Sequence, residues 1–277
     1  MTELDYLHAI LLGFIQGATE FLPVSSSAHL ALTQHWFNLA PNSPPLLLFD
    51  VLAHLGTLVA VFVIFSRSIV RYARRLMAES RRDWSGRRYA WRVAMLGITA
   101  CIPTAIIGFS FKDSFEQAFE NRALIAVCLI CTGLLLAVTP LCRRPRLGWK
   151  NFRWYQAALV GVAQGLAILP GISRSGSTIC AATFLGLRRR WAGEFSFFIV
   201  VPPIVGASLL KIKDTFELPA DQLSTIPWGP VLAGSVVSLI VGVFALRLLL
   251  DIVRRAKLHY FALYCWLLAT LILTGAV

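Results

Sequence analysis

The chain has 277 residues, of which 57% are hydrophobic and only 14% are charged. A soluble domain carries about 25% charged residues, so this composition predicts an integral membrane protein. The apolar runs are continuous and longer than the roughly ten-residue alternating segments of a membrane β-barrel, which favours an all-α polytopic fold. The formal net charge of +12 lies in short stretches between apolar runs, and this pattern argues against nucleic-acid binding.

The first apolar region, about residues 6–38, is interrupted by polar residues that a membrane segment rarely tolerates. Gln16 and Glu20 lie four residues apart, so a helix places both side chains on one face. His29 follows a proline and three serines, which are Pro23, Ser25, Ser26 and Ser27. Because an ionisable group at membrane depth costs about 2.5–3.5 kcal/mol, we interpret this interruption as a functional site.

Each polar residue of this interruption also has a structural interpretation. Glu20 can hold a divalent cation, orient a nucleophile or act as a base, or it can be a polar contact between helices. The serines can cap the next helix or present its free N–H groups to a phosphate. His29 is three residues after Ser26, so a hydroxyl, an imidazole and a carboxylate can converge. We favour the functional interpretation.

Full-length membrane spans need about 20 apolar residues, and six segments meet this requirement. They are approximately 46–66, 93–111, 122–142, 194–213, 228–250 and 258–277. Two of them open with an acidic residue, Asp50 and Glu194. Each acid can support a site or lie at the membrane interface, and His54, one turn after Asp50, can do either or simply pack between helices.

The charges of the loops predict the orientation of these segments. Basic loops face the cytoplasm under the positive-inside rule; they are 67–92, 143–153, 188–190 and 254–257, and the loops near 113–120 and 214–221 are acidic. Region 6–38 then begins and ends outside, whereas a second interrupted region, 154–188, begins and ends inside. Since half of either region is too short to cross a bilayer, we predict two re-entrant helix hairpins, which need protein or water around their irregular backbone.

The two interrupted regions also share a spacing. Gln16 and Gln164 each follow a glycine by three residues and precede a serine by nine. The shared spacing and opposite entry predict an inverted-topology repeat with a site near the midplane. We therefore expect one membrane domain, 1–277, with halves of about 1–120 and 150–277.

The second interruption carries a guanidinium, that of Arg174, among small and hydroxyl residues. Its neighbours are Gly171, Ser173, Ser175, Gly176, Ser177 and Thr178. Arginine binds phosphate bidentately and keeps its charge at physiological pH, and glycine permits close backbone approach. The structural alternative is a buried ion pair between Arg174 and Glu20, which would itself bring the two hairpins into contact.

Together these motifs resemble the bacterial undecaprenyl-diphosphate phosphatase family, whose members confer bacitracin resistance. Gln16 to Glu20 is similar to its (E/Q)-x-x-x-E motif, Leu22 to His29 to L-P-V-S-S-(S/T)-x-H, and Pro170 to Thr178 to P-G-x-S-R-S-G-(A/S)-T. The resemblance covers essentially the whole chain. It implies a phosphatase of the bacterial plasma (inner) membrane that cleaves a C55 polyprenyl diphosphate to the monophosphate and phosphate. That reaction recycles the carrier for peptidoglycan synthesis. We expect the site to open to the outer, periplasmic face.

The resemblance also implies roles for individual residues. The expected catalytic set is Glu20, Ser26, His29 and Arg174, with either Ser26 or His29 as nucleophile. The expected substrate-binding set is Gln16, Ser25, Ser27, Ser173, Ser175, Gly176 and Thr178. Family members depend on a divalent cation, Mg²⁺ or Ca²⁺, which Glu20 would hold. Many members have Glu where this chain has Gln16, so one anionic ligand is lost; either the metal binds more weakly or Glu20 carries it alone.

A transporter is the alternative class of function. Inverted repeats with broken helices at the midplane are typical of secondary transporters, and the same groups could bind a polyprenyl-phosphate headgroup for flipping without hydrolysis. Glu20, Ser26 and His29 together favour the phosphatase, because anion binding alone has less use for them. The partners expected are the polyprenyl diphosphate lipid and the bilayer, with no nucleic acid; the sequence leaves a monomer and a homodimer both open.

Overall fold

A computed structural model of the chain describes residues 4–40, 43–80, 89–142, 145–217, 219 and 226–275. These residues form eleven α-helices and a short 3-10 helix, Thr139–Leu141. The α-helices are α1 (Tyr6–Phe21), α2 (Ser26–Trp36), α3 (Pro44–Ser80), α4 (Tyr89–Ser110), α5 (Lys112–Ala118), α6 (Arg122–Ala137), α7 (Trp154–Leu166), α8 (Arg174–Phe184), α9 (Arg189–Phe216), α10 (Trp228–Arg254) and α11 (Tyr260–Leu273).

Five helical segments within the described ranges are long and apolar enough to cross a membrane. They are Pro44–Glu79, Tyr89–Ser110, Arg122–Leu141, Arg189–Lys213 and Trp228–Arg254, and they correspond to five of the six predicted spans. The sixth, 258–277, contains an apolar helix of 14 residues, α11; its last two positions lie outside the described residues. The protein is an all-α, multi-pass membrane protein.

Helix α3 extends beyond the predicted end of its span near residue 66. Its helical extension carries Arg67, Arg71, Arg74 and Arg75, so the first part of the predicted basic loop is helix rather than loop. Arginine, alanine, leucine and glutamate all have high helix propensity, which explains why α3 continues. The remainder of that basic loop, 81–88, lies outside the described residues.

The two interrupted regions each fold as a pair of helices whose outer ends meet. Leu147, before α7, donates its N–H to the Gly186 carbonyl at 2.8 Å, and Arg188, after α8, donates to the Leu147 carbonyl at 3.0 Å. In the first region, His8 near the start of α1 contacts the ring of Phe37 after α2, with centroids 4.8 Å apart. Each region therefore returns to where it began, as expected for a hairpin.

Between the helices of each hairpin lies a short non-helical turn; we call residues 22–25 the first break and residues 167–173 the second break. Ser25 has φ of +67° and Gly171 has φ of +96°. A positive φ is uncommon for any residue except glycine, so Ser25 marks an unusual turn. The predicted capping differs between the breaks: Ser173 accepts a hydrogen bond from the Gly176 N–H at 3.1 Å, whereas the Ser25 side chain does not cap α2.

Each hairpin packs against a helix from the other half of the chain. Helix α1 lies on α10, and α7 lies on α4. Both crossings depend on a glycine: a Cβ on Gly13 would meet the Gly234 backbone, and a Cβ on Gly161 would meet the Ala100 carbonyl. This reciprocal packing supports the inverted repeat, which stays a prediction.

The largest buried apolar cluster joins helices from both halves of the chain. Its members include Phe21 of α1, Ile179 of α8, Phe195 of α9 and Leu246 of α10. On the outer surface, large apolar side chains are exposed on most helices; Phe244 is an example, with 65% exposure. Extensive apolar surface of this kind marks contact with a membrane. The core therefore fixes the two breaks relative to each other, and the outside is suited to lipid.

Candidate active site

The two breaks touch each other directly in the centre of the molecule. The Gly171 N–H donates a hydrogen bond to Ser25 Oγ at 3.0 Å. A Cβ on Gly176 would lie 3.2 Å from the Pro23 side chain, so the start of α8 and the first break approach each other closely. The residues predicted from two distant motifs therefore form one site.

Glu20 is the centre of that site and is almost completely buried, with its side chain 1% exposed. Its Oε1 pairs with the Arg174 guanidinium, which is the ion pair anticipated as a structural alternative. Its Oε2 accepts hydrogen bonds from Gln16 Nε2 at 2.9 Å and from Ser26 Oγ at 2.7 Å. A buried charge is costly unless it is paired and hydrogen-bonded, and these contacts satisfy the carboxylate on both oxygens.

His54 is a further neighbour of Glu20. Its Nε2 lies 3.6 Å from Glu20 Oε2, and its Nδ1 lies 2.7 Å from the Asp50 carbonyl oxygen. A carbonyl only accepts hydrogen bonds, so Nδ1 carries a proton. The sequence left open whether His54, one turn after Asp50, supports the site or only packs between helices. The structure places it beside Glu20.

The two acids that open spans have separate partners. Asp50 accepts a hydrogen bond from Gln34 Nε2 at 2.9 Å. Glu194 pairs with Arg190 Nε at 3.1 Å in α9; the Glu194 side chain is 24% exposed and the Arg190 side chain 62%. Asp50 lies one helical turn from a site residue, and Glu194 belongs to a surface ion pair.

Hydroxyl groups organise the second break. Thr132 of α6 donates from Oγ1 to the Gly171 carbonyl at 2.9 Å and accepts the Ser173 N–H at 3.0 Å. Thr178 donates to the Arg174 carbonyl at 2.8 Å and contacts Ser196 Oγ at 2.5 Å. Sequence reasoning missed Thr132 because nothing in an apolar helix indicates which residue faces a distant loop.

The remaining predicted serines lie in or beside the breaks. Ser25 Oγ is 3.2 Å from Ser27 Oγ, and Ser173 Oγ is 3.3 Å from Ser175 Oγ. Ser25, Ser173 and Ser175 are buried, whereas Ser26 and Ser27 are half-buried. The hydroxyl that contacts the central carboxylate is that of Ser26.

His29 has different partners from those expected. Its Nδ1 lies 2.7 Å from the Ser25 carbonyl oxygen, and its Nε2 lies 2.6 Å from the Tyr264 hydroxyl. Ser26 contacts Glu20 as predicted. The ring nitrogens of His29 instead contact the Ser25 carbonyl and the Tyr264 hydroxyl. Tyr264 belongs to α11, more than 200 positions away in sequence, and no motif indicated it.

Glu20 and Gln16 are the residues that could hold a divalent cation here. Gln16 is fully buried, and among the described residues its Oε1 has no hydrogen-bond partner, so this oxygen is an available acceptor beside the carboxylate. Within the described ranges no group of three or more His, Cys, Asp or Glu side chains could hold a metal. Magnesium is commonly bound by one or two carboxylates together with substrate phosphates and water, and this donor set suits that mode.

This fold and this site define a class of protein: a multi-pass membrane protein in which a carboxylate, a hydroxyl and a guanidinium meet at two helix breaks. The family model described as bacitracin resistance protein BacA matches residues 9–271. The chain belongs to this family, as its motifs predicted.

Curated relatives agree over nearly the full length. A protein of Carboxydothermus hydrogenoformans named undecaprenyl-diphosphatase is 42% identical, with 98% of this chain and 97% of the relative covered. Proteins of the same name from Syntrophotalea carbinolica and Halorhodospira halophila are 44% and 39% identical. In those two comparisons, 96% of this chain and 97% and 96% of the relatives are covered.

Proposed function

We propose that this protein hydrolyses undecaprenyl diphosphate to the monophosphate and phosphate, and thereby recycles the lipid carrier for peptidoglycan synthesis and confers resistance to bacitracin. The observation that carries the proposal is the hydrogen bond from Ser26 to Glu20 beside Arg174. It gives a membrane-embedded site a hydroxyl, a proton acceptor and a phosphate-binding cation. The full-length similarity to proteins named undecaprenyl-diphosphatase supports the substrate.

Arg174 and the N-terminus of α8 would bind the terminal phosphate. The guanidinium is the natural partner of a phosphate, and Arg174 is the first residue of α8, where free N–H groups and the helix dipole favour an anion. Phosphoryl transfer depends mostly on positioning and charge stabilisation. In the structure the charge of Arg174 is balanced by Glu20.

Ser26 is the nucleophile that this geometry supports best. Its Oγ attacks the terminal phosphorus, its proton passes to Glu20 Oε2, and the P–O bond to the leaving undecaprenyl monophosphate breaks. Water then attacks the phosphoserine, the P–O bond to Ser26 breaks, and Ser26 Oγ takes its proton back from Glu20 as phosphate leaves. His29, the other candidate, has Nδ1 on the Ser25 carbonyl and Nε2 on Tyr264, so it is better placed to exchange protons than to attack.

Glu20 and the free Oε1 of Gln16 would hold the divalent cation, Mg²⁺ or Ca²⁺. When bound, the cation supplies positive charge that offsets the charge of the diphosphate. With Gln16 as a neutral ligand, Glu20 is the only anionic ligand in this pair. We therefore expect activity to need a higher free metal concentration than a site with two carboxylates.

The same proposal includes a location and an orientation. The hairpins α1–α2 and α7–α8 would enter the plasma membrane from opposite faces, and the site would open to the outer face. The meeting of the outer ends of each hairpin supports re-entry. Lipid flipping needs only anion binding and does not require a hydroxyl that donates to a carboxylate, as Ser26 does to Glu20. We therefore favour hydrolysis over transport.

Phosphate release from C55 polyprenyl diphosphate by the purified protein in detergent tests this proposal. We expect release by the wild type with Mg²⁺ or Ca²⁺, and little with a chelator. Glu20→Ala should reduce the rate by about 10²–10⁴-fold, the usual cost of losing a positioned acid or base.

Glu116→Ala is the matched control, since Glu116 is an exposed carboxylate whose side chain is 65% exposed. It should keep wild-type turnover. Folded wild-type protein that releases no phosphate with either metal would overturn the phosphatase proposal and favour the flippase. Equal turnover by wild type and Glu20→Ala would refute the site.

A further inference from the structure

Tyr264 and His29 form a close pair at the edge of the site. The Tyr264 hydroxyl lies 2.6 Å from His29 Nε2. The two rings are stacked, with centroids 5.7 Å apart and planes inclined by only 7°. The phenol therefore limits both the position and the rotation of the imidazole.

The other nitrogen of His29 fixes which group donates in this bond. The Ser25 carbonyl can only accept, so Nδ1 must carry a proton. In the neutral imidazole Nε2 then has a lone pair, and the Tyr264 O–H donates to it. When Nε2 gains a proton, the phenol oxygen can accept it instead, because a phenol serves in both roles. The contact can persist in both protonation states.

The surroundings of Tyr264 anchor it to the first break. The next residue, Cys265, is buried and its Sγ lies 3.6 Å from the Pro23 carbonyl oxygen. Helix α11 also packs closely against α6, which holds the second break through Thr132. The helix that carries Tyr264 therefore contacts both the first break and α6, which itself contacts the second break.

We propose that Tyr264 is a positioning residue for the reaction: it holds the His29 ring and makes Nε2 the nitrogen that exchanges a proton. This inference rests on the proposed phosphatase function. Nδ1 keeps its proton on the Ser25 carbonyl, so the imidazole gains and loses its second proton at Nε2, on the side of the Tyr264 hydroxyl. No residue of α11 belongs to the motifs that define the site.

The test is Tyr264→Phe, which keeps the ring stacking and removes only the hydroxyl. Loss of one hydrogen bond to a functional group should lower kcat by about tenfold, with KM nearly unchanged. Tyr260→Phe on the same helix is the matched control, because Tyr260 is 64% exposed; its kinetics should equal those of the wild type. Equal thermal unfolding midpoints of the variants establish that they are folded.

A double-mutant cycle separates positioning from a merely structural role. If Tyr264 acts through His29, Tyr264→Phe should cause no further loss of kcat in a His29→Gln background. Nitrogen-15 NMR of the imidazole, assigned by His29→Gln, should show a protonated Nδ1 in the wild type and a shifted Nε2 signal in Tyr264→Phe. A tenfold loss that persists without His29, or an unchanged kcat in the single variant, would overturn the proposal.

These outcomes are distinct from failure of the proposed function. If the wild type releases no phosphate, the phosphatase proposal fails, and the positioning role fails with it even if the NMR signal of Nε2 responds. If the wild type is active and Glu20→Ala is not, the function stands and the kinetics of Tyr264→Phe decide the role of Tyr264.

Discussion

At the residue scale, the charge balance of the site depends on Glu20 and Arg174. The carboxylate is buried and paired with a guanidinium whose side chain is 22% exposed. Removing one member of a buried pair leaves an uncompensated charge and is typically costly. The pair therefore joins the two hairpins and, in the proposed reaction, keeps Arg174 ready for a phosphate.

We expect Arg174→Ala to lose at least 10²-fold in kcat/KM, roughly the cost of removing one positioned group from an active site. Arg174→Lys should recover only part of this loss, since an ammonium cannot bind a phosphate bidentately. Phosphate release under saturating and limiting lipid measures both. Arg254→Ala is the control, because Arg254 lies in an exposed pair with Asp251, and near-normal turnover by Arg174→Ala would contradict the assignment.

At the element scale, glycines let the hairpin helices approach their partners. Gly13 of α1 faces the backbone of Gly234 in α10, and Gly161 of α7 faces the backbone of Ala100 in α4. Small residues at such crossings are the usual way for membrane helices to pack closely. Gln16 and Gln164 lie about one turn after these crossings, so the crossings help to position both side chains.

Gly13→Ala should therefore destabilise the protein, by about 1–3 kcal/mol as for other overpacked sites. Its added methyl group would collide with the Gly234 backbone, which has no flexible end to move aside. Gly206→Ala in α9 is the matched control, since a Cβ there would point into open space among the described residues outside its own helix backbone. The thermal unfolding midpoint in detergent should fall for the first variant and hold or rise for the second; equal midpoints would show that the crossing tolerates a side chain.

At the scale of the whole molecule, loop charges and hairpin geometry make the same prediction about orientation. The two segments that flank α7–α8 are hydrogen-bonded to each other through the backbones of Leu147, Gly186 and Arg188. On the proposed re-entrant arrangement, we expect both flanks to lie on one face of the membrane. The basic residues around them indicate the cytoplasmic face.

Labelling with a membrane-impermeant maleimide tests this orientation. Cysteines introduced at Asn151 and Arg190, on either side of the hairpin, should react only in inside-out vesicles. A cysteine at Glu120, in an acidic loop, should react only in spheroplasts. The parent protein without an added cysteine gives the background, and reaction of the Asn151 and Arg190 positions from opposite faces would mean that α7–α8 crosses the membrane.

The sequence alone was sufficient to predict the fold class and the position of the candidate site. Hydropathy and charge predicted an all-α membrane protein, because a lipid environment demands long apolar helices with internal hydrogen bonds. The interruptions at Glu20, Ser26 and Arg174 indicated the site, because polar groups at that depth are too costly to lack a purpose. Local spacing on one helix also correctly grouped Gln16 with Glu20, since neighbours four residues apart share a face.

Tertiary structure alone decided which distant groups meet. Thr132, His54 and Tyr264 lie on helices remote in sequence from the groups that they contact, and no local period encodes such a contact. His29 was predicted to join Ser26 and Glu20, yet its ring nitrogens bond to the Ser25 carbonyl and to Tyr264. Short-range patterns determine which residues are polar and where helices break, whereas the packing of α6 and α11 around the breaks determines each side chain's partner.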